Sequence, residues 1–290
     1  MSIILFPILL ISCKNQAEDT GSGIAWLVPQ QDLGTPLADG MDFSPANGTE
    51  AWFAAEQITP GLVWDYPPSN VPLYLWEDIA QGENIADPGS CPYTTIDGNA
   101  LTWVSNCRSQ DGYEWSGKVT QTEWEEDDLR WTLWEFDLEI IGDVEDPSFD
   151  RLTLDGKLYV ALGDGESLDR SVQVNARAGI EGFWSQQSSI DQREAAWADW
   201  VNTGRYEQVP SENGNVHLFS GNVELGSLGG FQYKTSELQE VSTCPGEPSG
   251  SLEIVSDTDN LQLQFNGAEG CDQCADLIRD GEFAGQACAG

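Results

Sequence analysis

Apolar and polar residues alternate along most of the middle of the chain, a pattern that is typical of antiparallel β-strands with one buried face. Residues 113–119, 152–162 and 172–180 each keep their apolar side chains in a single phase. Residues 129–141 form the strongest segment of this kind, but their apolar phase changes from odd to even between Leu133 and Trp134. The change predicts either a β-bulge at this point or a strand that is covered on both faces.

Three of these segments share a frame in which a glycine is flanked by polar and then by apolar residues. They are residues 115–119, 154–158 and 219–223, with residues 249–252 as a degenerate fourth copy. The apolar phase continues unbroken through Gly156, so we expect one continuous strand with this glycine on the apolar face, under a neighbouring aromatic ring. The copies are spaced too unevenly for a solenoid or a propeller, and a single wide, curved sheet or a sandwich fits better.

Shorter patterns predict the remaining elements. Residues 24–28 predict a first strand, residues 73–79 a short helix after Pro72, and residues 216–225 and 230–233 further strands. A second helix is predicted over residues 189–202, with Trp197 and Trp200 on one face and Gly204 after its end. Residues 47–49 predict a turn, the acids at 123 and 125–128 a loop, and residues 252–265 a hairpin.

The predicted fold class is therefore mainly β. We expect an antiparallel sheet or sandwich with two short helices and a disulfide-stapled C-terminal hairpin.

The first thirteen residues differ from the rest because residues 3–11 are all apolar. This stretch is shorter than the roughly 20 residues that a membrane span needs, but it suits an export signal. Its end, Leu10-Ile11-Ser12-Cys13, resembles the lipobox of bacterial lipoproteins, although no Lys or Arg precedes the apolar run. The resemblance implies that Cys13 is lipidated and that the residues before it are removed. The alternative is a buried N-terminal strand, against which Pro7 and the polar residues 14–16 argue.

Together with the strand pattern and the positions of the cysteines, this resemblance predicts four segments of the chain. Residues 1–13 would be a lipoprotein signal peptide, 14–23 a polar tether, 24–243 a β-rich main domain and 244–290 a Cys-rich C-terminal β-hairpin subdomain. Lys14 stands where some lipoproteins carry an Asp that retains them in the inner membrane. The expected location is therefore the bacterial cell envelope, with a lipid anchor in the outer membrane. The acidic, Trp-bearing composition is also similar to that of acidic surface lipoproteins of Gram-negative bacteria.

The net charge restricts the partners of the protein. The chain has 49 acidic and 12 basic residues, a net charge of −37, yet 40% of its residues are hydrophobic and 12 are Trp. The hydrophobic content predicts a folded core, and the charge disfavours nucleic acid and anionic lipid headgroups as partners. Two explanations stay open: a saline or divalent-rich environment that screens the charge, and binding of a cationic envelope component.

Six of the seven cysteines remain when Cys13 is set aside, and an even number in an exported protein predicts three disulfides. Cys91 and Cys107 are close together in mid-chain and are expected to pair. Two further disulfides are expected among Cys244, Cys271, Cys274 and Cys288, with their pairing open. The alternatives for the Cys271–Cys274 motif are a redox pair and half of a zinc site.

Candidate ligand residues fall into two groups. Exposed tryptophans can stack on sugars, as in carbohydrate-binding modules, and the candidates are Trp124, Trp197 and Trp200. Carboxylates in loops suit calcium as a cofactor, and the candidates are Asp143, Glu145, Asp146, Asp257 and Asp259.

No catalytic residue is assigned. His217 is the only histidine and lies in phase with apolar strand residues, so we expect it to be packed and hydrogen bonded. Glycoside hydrolysis needs two suitably spaced carboxyl groups, and Glu114, Glu123, Glu135 and Glu139 are the acids on or near strands. The sequence predicts a membrane-anchored envelope protein with a structural or binding role. The alternatives are a surface carbohydrate-binding module and a glycoside hydrolase.

Overall fold

The computed structural model describes residues 25–58, 71–80, 91–110, 112–142, 149–182, 199–212, 214–235, 238–239, 248–267, 272 and 274–288. Helix α1 comprises Gly48–Glu56, and helix α2, Val71–Tyr74, continues into a π-helical turn, Leu75–Ala80. A 3-10 turn, Gly226–Leu228, lies late in the chain. The helix predicted over residues 73–79 is confirmed in its position. No helix in these ranges is long and apolar enough to cross a membrane.

Fifteen strands form one antiparallel sheet, so the predicted fold class is confirmed. The strands are β1 Tyr93–Asp97, β2 Ala100–Val104, β3 Cys107–Arg108, β4 Glu114–Glu126, β5 Leu129–Ile141, β6 Arg151–Leu162, β7 Arg170–Glu181, β8 Trp200–Ser211, β9 Gly214–Leu225, β10 Gly230–Thr235, β11 Leu238–Gln239, β12 Ser249–Val255, β13 Asn260–Asn266, β14 Cys274–Arg279 and β15 Glu282–Cys288.

The sheet order follows the chain: β1-β2-β4-β5-β6-β7-β8-β9-β10-β12-β13-β14-β15, with β3 beside β4 and β11 between β9 and β12. Because β10 pairs with β12, strands on both sides of the predicted domain boundary at residues 243 and 244 belong to the same sheet.

One face of the sheet, which we call the core face, carries the main hydrophobic cluster. A single row of paired residues crosses seven strands on this face: Val119, Phe136, Gly156, Ala176, Asn202, Val223 and Phe231. Side chains from β2 to β15 join one contiguous cluster, so the sheet wraps around its own core. Both helical segments pack on it, because Trp52 contacts Phe265 at 5.8 Å and Trp76 contacts Trp103 at 5.2 Å between ring centroids.

Strand β6 runs straight through Gly156, as predicted, with unbroken register to both neighbours. Gly156 has φ +106°, and a Cβ there would lie 2.3 Å from the carbonyl oxygen of Asn175, so no other residue fits. The aromatic cover predicted for Gly156 is wrong, because the atoms nearest to it belong to Asn175 and Ala176 of β7. A tyrosine instead contacts the glycine of the third copy of the frame. A Cβ on Gly221 would lie 2.8 Å from the hydroxyl oxygen of Tyr233. At Gly156 the backbone of β7 takes that place.

Strand β5 has the predicted bounds and contains no bulge, because its register is continuous from Leu129 to Ile141 with β4 and from Arg130 to Ile141 with β6. The change of phase arises because its first part is covered on the opposite face, which we call the outer face. There, Trp131 joins a second cluster with Val28, Ala161 and Leu168. Of the two alternatives left open by the sequence, the covered strand is confirmed and the bulge is wrong.

Residues 25–46, which we call the strap, cross the outer face of β7, β8 and β9. The predicted strand at residues 24–28 is wrong for its described part, because residues 25–28 pair with no strand. Their backbone groups bind side chains instead: the amides of Leu27 and Val28 donate to the carboxylate of Glu207 at 2.8 and 2.9 Å. The strap then supplies the turn into α1.

Two further local predictions are wrong. The predicted turn at residues 47–49 is the start of α1, because the side chain of Asn47 accepts a hydrogen bond from the amide of Glu50 at 3.0 Å and caps the helix. In the helix predicted over residues 189–202, the residues up to 198 lie outside the described ranges. Trp200 begins β8 and Gly204 lies within it, because continuous pairing with β7 and β9 outweighs local helix propensity.

Two disulfides are described. Cys91 bonds Cys107, as predicted, and Cys274 bonds Cys288 across the β14–β15 hairpin. This second bond settles one of the pairings that the sequence left open. Cys244 and Cys271 lie outside the described residues, as does the proposed lipidation site, Cys13.

Candidate ligand-binding site

An aromatic group lies on the outer face at one end of the sheet. Trp124 of β4, Trp131 of β5 and Tyr159 of β6 form the outer aromatic cluster. The rings of Trp124 and Trp131 are 5.8 Å apart and nearly parallel, at 4°, and Tyr159 meets both edge-on. Trp131 is only 3% exposed, whereas Trp124 is partly exposed. Trp124 is therefore a solvent-facing ring held in place by a buried one.

Cross-strand pairing explains this arrangement. Trp124 lies directly opposite Trp131, and Trp131 lies opposite Ala161 of β6, whose small side chain leaves room for the rings. Trp124 stands on the even phase of β4, while the buried Trp115 and Val119 stand on the odd phase and face the core. The alternation of a strand thus places Trp124 opposite to the residues that form the core.

The turn of the β4–β5 hairpin is strongly acidic. Glu123, Glu125 and Glu126 belong to β4, so the predicted acidic loop shrinks to the two residues Asp127 and Asp128. Both have left-handed backbones, with φ +53° and +62°. A two-residue hairpin turn requires this conformation, and Asp adopts it more readily than most residues. The turn therefore projects two adjacent carboxylates beyond the sheet.

A cleft of about 660 Å³ lies at this end of the sheet. Four acids of the hairpin line it together with Leu129, Arg130, Leu162 and Gly163; the acids are Glu125, Glu126, Asp127 and Asp128. Arg130 is the single basic residue among them. One carboxylate links the cleft to the aromatic cluster, because the indole nitrogen of Trp124 donates to Glu126 at 3.4 Å.

The neighbouring loop after β6 adds another fixed carboxylate. Asp164 accepts hydrogen bonds from the backbone amides of Glu166 at 2.8 Å and Ser167 at 3.0 Å. These amides, led by that of Ser167, lower the pKa of Asp164 below its ordinary value. Its negative charge, next to Gly163 of the cleft, therefore persists to lower pH than that of a free carboxylate.

The first residues of the strap border the same region. Val28 belongs to the cluster of Trp131, and the guanidinium of Arg205 lies 4.1 Å from the ring centroid of Trp26. Arg205 also contacts Glu207 at 3.2 Å, and Glu207 is 0% exposed. Burial lowers the pKa of Arg205, while the charge of Glu207 opposes that shift. This ion pair fixes the strap on β8, because Arg205 and Glu207 both bind its backbone.

The predicted stacking residues have different positions. Trp124 lies in the outer aromatic cluster, and Trp197 lies outside the described residues. The prediction for Trp200 is wrong, because its ring is 0% exposed within the main core and cannot reach a ligand. Sequence reasoning missed Trp131 and Tyr159 as the supports of Trp124. These two residues lie on β5 and β6, so their contact with Trp124 could have been predicted only from the pairing register of β4, β5 and β6.

The predicted calcium residues are likewise divided. Asp143, Glu145 and Asp146 lie outside the described ranges. Asp257 and Asp259 lie in the β12–β13 turn, where Asp259 contacts the guanidinium of Arg279 at 3.3 Å and accepts from the hydroxyl of Ser44 at 2.9 Å. Within the described part of the chain, no three His, Cys, Asp or Glu residues come together as a metal centre requires. The turn therefore gains no support as a calcium site.

Three of the four acids named for hydrolysis contact cations, and the fourth, Glu123, accepts a hydrogen bond from the side-chain amide of Gln121 at 2.7 Å. Glu135 contacts Lys157 at 2.9 Å, Arg151 contacts Glu139, and Arg108 contacts Glu114 at 3.8 Å. Each of these three carboxylates thus has a basic partner on the sheet surface rather than a second carboxyl group. These positions suit surface charge pairs on a sheet.

The remaining candidates for chemistry have structural positions. His217 is buried, and its Nδ1 lies 2.8 Å from the hydroxyl of Tyr206, so the prediction of a packed, hydrogen-bonded histidine is confirmed. Cys274 is bonded to Cys288, which excludes both a Cys271–Cys274 redox disulfide and a zinc-bound thiolate at Cys274.

Comparison of the chain with protein-family models, with curated proteins and with solved structures finds no match.

Proposed function

We propose that the protein is a membrane-anchored binding protein of the bacterial envelope, held by a lipid on Cys13. Its ligand is a cationic envelope component that binds the outer aromatic cluster and the acidic β4–β5 hairpin. The proposed binding role rests on the position of the Trp124 ring. It is partly exposed, parallel to the buried Trp131, and hydrogen bonded to a carboxylate at the edge of an acidic cleft.

Two physical effects favour a cation at this position. The face of a Trp ring attracts cations by about 0.5–2 kcal/mol, and the attraction is larger when the site is partly desolvated. Asp127 and Asp128 add negative charge at the same end of the sheet. The net charge of −37 also raises the local concentration of cations and steers them to the surface, an effect that falls as salt is added.

Glycan binding is the second candidate, and one observation weakens it. A sugar-stacking platform uses two or three coplanar exposed rings, whereas Trp131, the ring parallel to Trp124, is buried. Partly exposed Trp26 is already in contact with Arg205. Among the described tryptophans, Trp124 is therefore the one partly exposed ring without a cation already over it, which suits a single cationic group better than a sugar chain.

Calorimetric titration of the full chain with a hexalysine peptide tests the binding site. We expect binding at low salt that Trp124→Ala weakens about tenfold, the equivalent of about 1.4 kcal/mol, and that Asp127→Asn with Asp128→Asn weakens further. Asn also tolerates left-handed backbone, so the turn is kept.

The matched control removes two acids from another hairpin, by Asp280→Asn and Glu282→Gln. Asp280 also has a left-handed backbone, with φ +52°. If this control weakens hexalysine binding as much as the pair at 127 and 128, the peptide responds to total charge alone and the site is wrong. A glycan that binds and is lost with Trp124→Ala would replace the cation by a sugar.

Mass spectrometry of the protein from the membrane fraction tests the anchor. We expect a diacylglycerol on Cys13 as the first residue, and Cys13→Ser should release the protein from membranes. An intact, unmodified N-terminus would remove the anchor and the envelope location, whatever the result of the titration.

A further inference from the structure

Strand β1 is an open edge of the sheet. All five of its residues are exposed, including Ile96 at 79% and Tyr93 at 52%. It pairs with β2 on one side, and no described strand lies on its other side. A row of backbone donors and acceptors therefore faces solvent beside two large apolar side chains. Unprotected edges of this kind pair with other strands.

The opposite end of the sheet is different. Strand β15 is covered by the start of α1, because a Cβ on Gly48 would lie only 2.4 Å from the carbonyl oxygen of Gln286. Close by, Arg279 donates to the carbonyl of Pro45 at 2.7 Å. Phe283 remains 68% exposed there, which makes β15 a natural control for effects of exposed apolar residues.

The geometry of β1 fits a second copy of itself. The two-residue turn after Asp97 makes Asp97 and Ala100 a hydrogen-bonded pair, so Asp97 directs its backbone groups toward β2. Hydrogen-bonded and non-hydrogen-bonded pairs alternate along antiparallel strands. Thr94 and Ile96 therefore direct their amide and carbonyl groups toward the free edge.

We propose that two copies of the chain associate through β1, in an antiparallel pair with Thr95 on the two-fold axis. Thr94 then lies opposite Ile96 of the second copy, and both contribute the backbone groups that face the edge. Thr95 faces Thr95, a favourable cross-strand pair. The same patch serves both copies, as a two-fold interface requires.

The charge pattern of β1 agrees with this register. The strand contains no Lys, Arg or Glu, and its single acid, Asp97, lies opposite Tyr93 rather than opposite itself. The two Asp97 residues are four residues apart along the pair, about 13 Å, which exceeds the screening length at physiological salt. Five paired residues form a small interface, so we expect a weak dimer that salt strengthens by screening the charge of the two chains.

Disulfide trapping of the full chain tests the register. Thr95→Cys should form a covalent dimer on mild oxidation, because directly opposite Cβ atoms lie about 4.5–5.5 Å apart. Thr94→Cys should give about tenfold less, because equivalent residues at that position are diagonal neighbours, beyond ordinary disulfide reach. Thr258→Cys, in the exposed β12–β13 turn, is the control for random collision. Dimer yield is read on non-reducing gels against the unsubstituted chain.

A second pair of variants tests the edge itself. In the Thr95→Cys chain, Ile96→Asp should lower the yield about tenfold by placing a charge in the pairing, whereas Phe283→Asp should leave it unchanged. Raising salt from low to moderate concentration should increase the yield. Equal yields from residues 94, 95 and 258 would overturn the proposal. A covalent yield that Phe283→Asp lowers as much as Ile96→Asp would also overturn it, because β15 would then take part in the association.

Discussion

The outer face of the sheet has two halves with opposite character. Over β7, β8 and β9 it is covered by the strap, and the side chains beneath are polar and buried, such as Gln173, Asn175 and Glu207. Over β4, β5 and β6 it carries apolar rings and surface ion pairs, and Trp124 reaches solvent. Buried polar side chains on a sheet therefore indicate a covering segment of the same chain. The partly exposed ring of Trp124, which has no such cover, is the place that we propose for a ligand.

The backbone of the strap supplies hydrogen-bond partners for these buried polar side chains. Asn175 donates to the carbonyls of Leu33 and Thr35 at 3.0 and 2.8 Å and accepts from the amide of Leu37 at 2.9 Å. The carboxamide of Asn175 thus supplies the hydrogen-bond partners that the backbone of the strap would otherwise obtain from a neighbouring strand. The side chain of Gln173 makes an equivalent pair of bonds, to the amide of Gln31 at 2.7 Å and the carbonyl of Pro29 at 2.8 Å.

The largest expected effect breaks the covered half. Glu207→Ala leaves the amides of Leu27 and Val28 without acceptors and Arg205 without its counter-ion, so we expect the free energy of unfolding to fall by about 3–5 kcal/mol. The matched substitution on the open half is Glu135→Ala, which removes a surface ion pair with Lys157 and should cost about 0–1 kcal/mol. Urea unfolding measures both. Equal losses would mean that the strap does not depend on Glu207.

The second effect separates the two stacked rings of the open half. Trp131→Ala removes a buried ring and should cost about 3 kcal/mol, near the low end for such a change because the partly exposed neighbour can move inward. Trp124→Ala should cost about 1 kcal/mol, since less of its ring is buried. Thermal unfolding of the two variants checks the order. A larger loss for Trp124 would make it a structural residue rather than a ligand platform.

The third effect probes the centre of the strap. Asn175→Ala removes hydrogen bonds to three backbone groups, and we expect a loss of about 2 kcal/mol together with faster amide exchange at residue 37. Asn222→Ala, at a position of β9 in the same cross-strand row, is a suitable control. If amide exchange at residue 37 is unchanged in the Asn175→Ala variant, this side chain does not hold the middle of the strap on the sheet.

The smallest effect concerns pH at the open half. The folded-state pKa of Asp164 is below the ordinary value of 3.8, so its ionised form stabilises the fold above that pH. This contribution is lost as pH falls through the folded-state pKa. The difference in urea midpoint between the unsubstituted chain and Asp164→Asn should therefore be present at pH 7 and shrink at pH 2.5. If the difference in urea midpoint stays constant, the negative charge of Asp164 does not contribute to the free energy of unfolding.

Much of the sheet could be predicted because its strands carry their own period. Strand β5 has the predicted bounds, and the continuity of β6 through Gly156 follows from a phase that does not change. The failure at Trp200 has a physical reason. Residues 194–198 are helix formers, whereas the strand conformation of the residues that follow depends on pairing with β7 and β9, which local propensity does not reflect.

The candidate site could be predicted only in part. The acids around Trp124 indicated an exposed ring, but nothing local indicated that Trp131 would support it. The register of β4 with β5 decided that contact.

The sequence by itself determined the mainly β fold, the acidic surface, the Cys91–Cys107 disulfide and the prediction of an exported, lipidated N-terminus, because periodicity, composition and cysteine spacing are local or additive properties. Only the tertiary structure decided which half of the outer face is covered. The strap has no apolar periodicity that would predict its position. Its backbone groups bind side chains such as Glu207 and Asn175, which lie 138–180 residues away in the sequence. Among the described strands, the same long-range pairing left Trp124 partly exposed and gave β1 a partner, β2, on one side only.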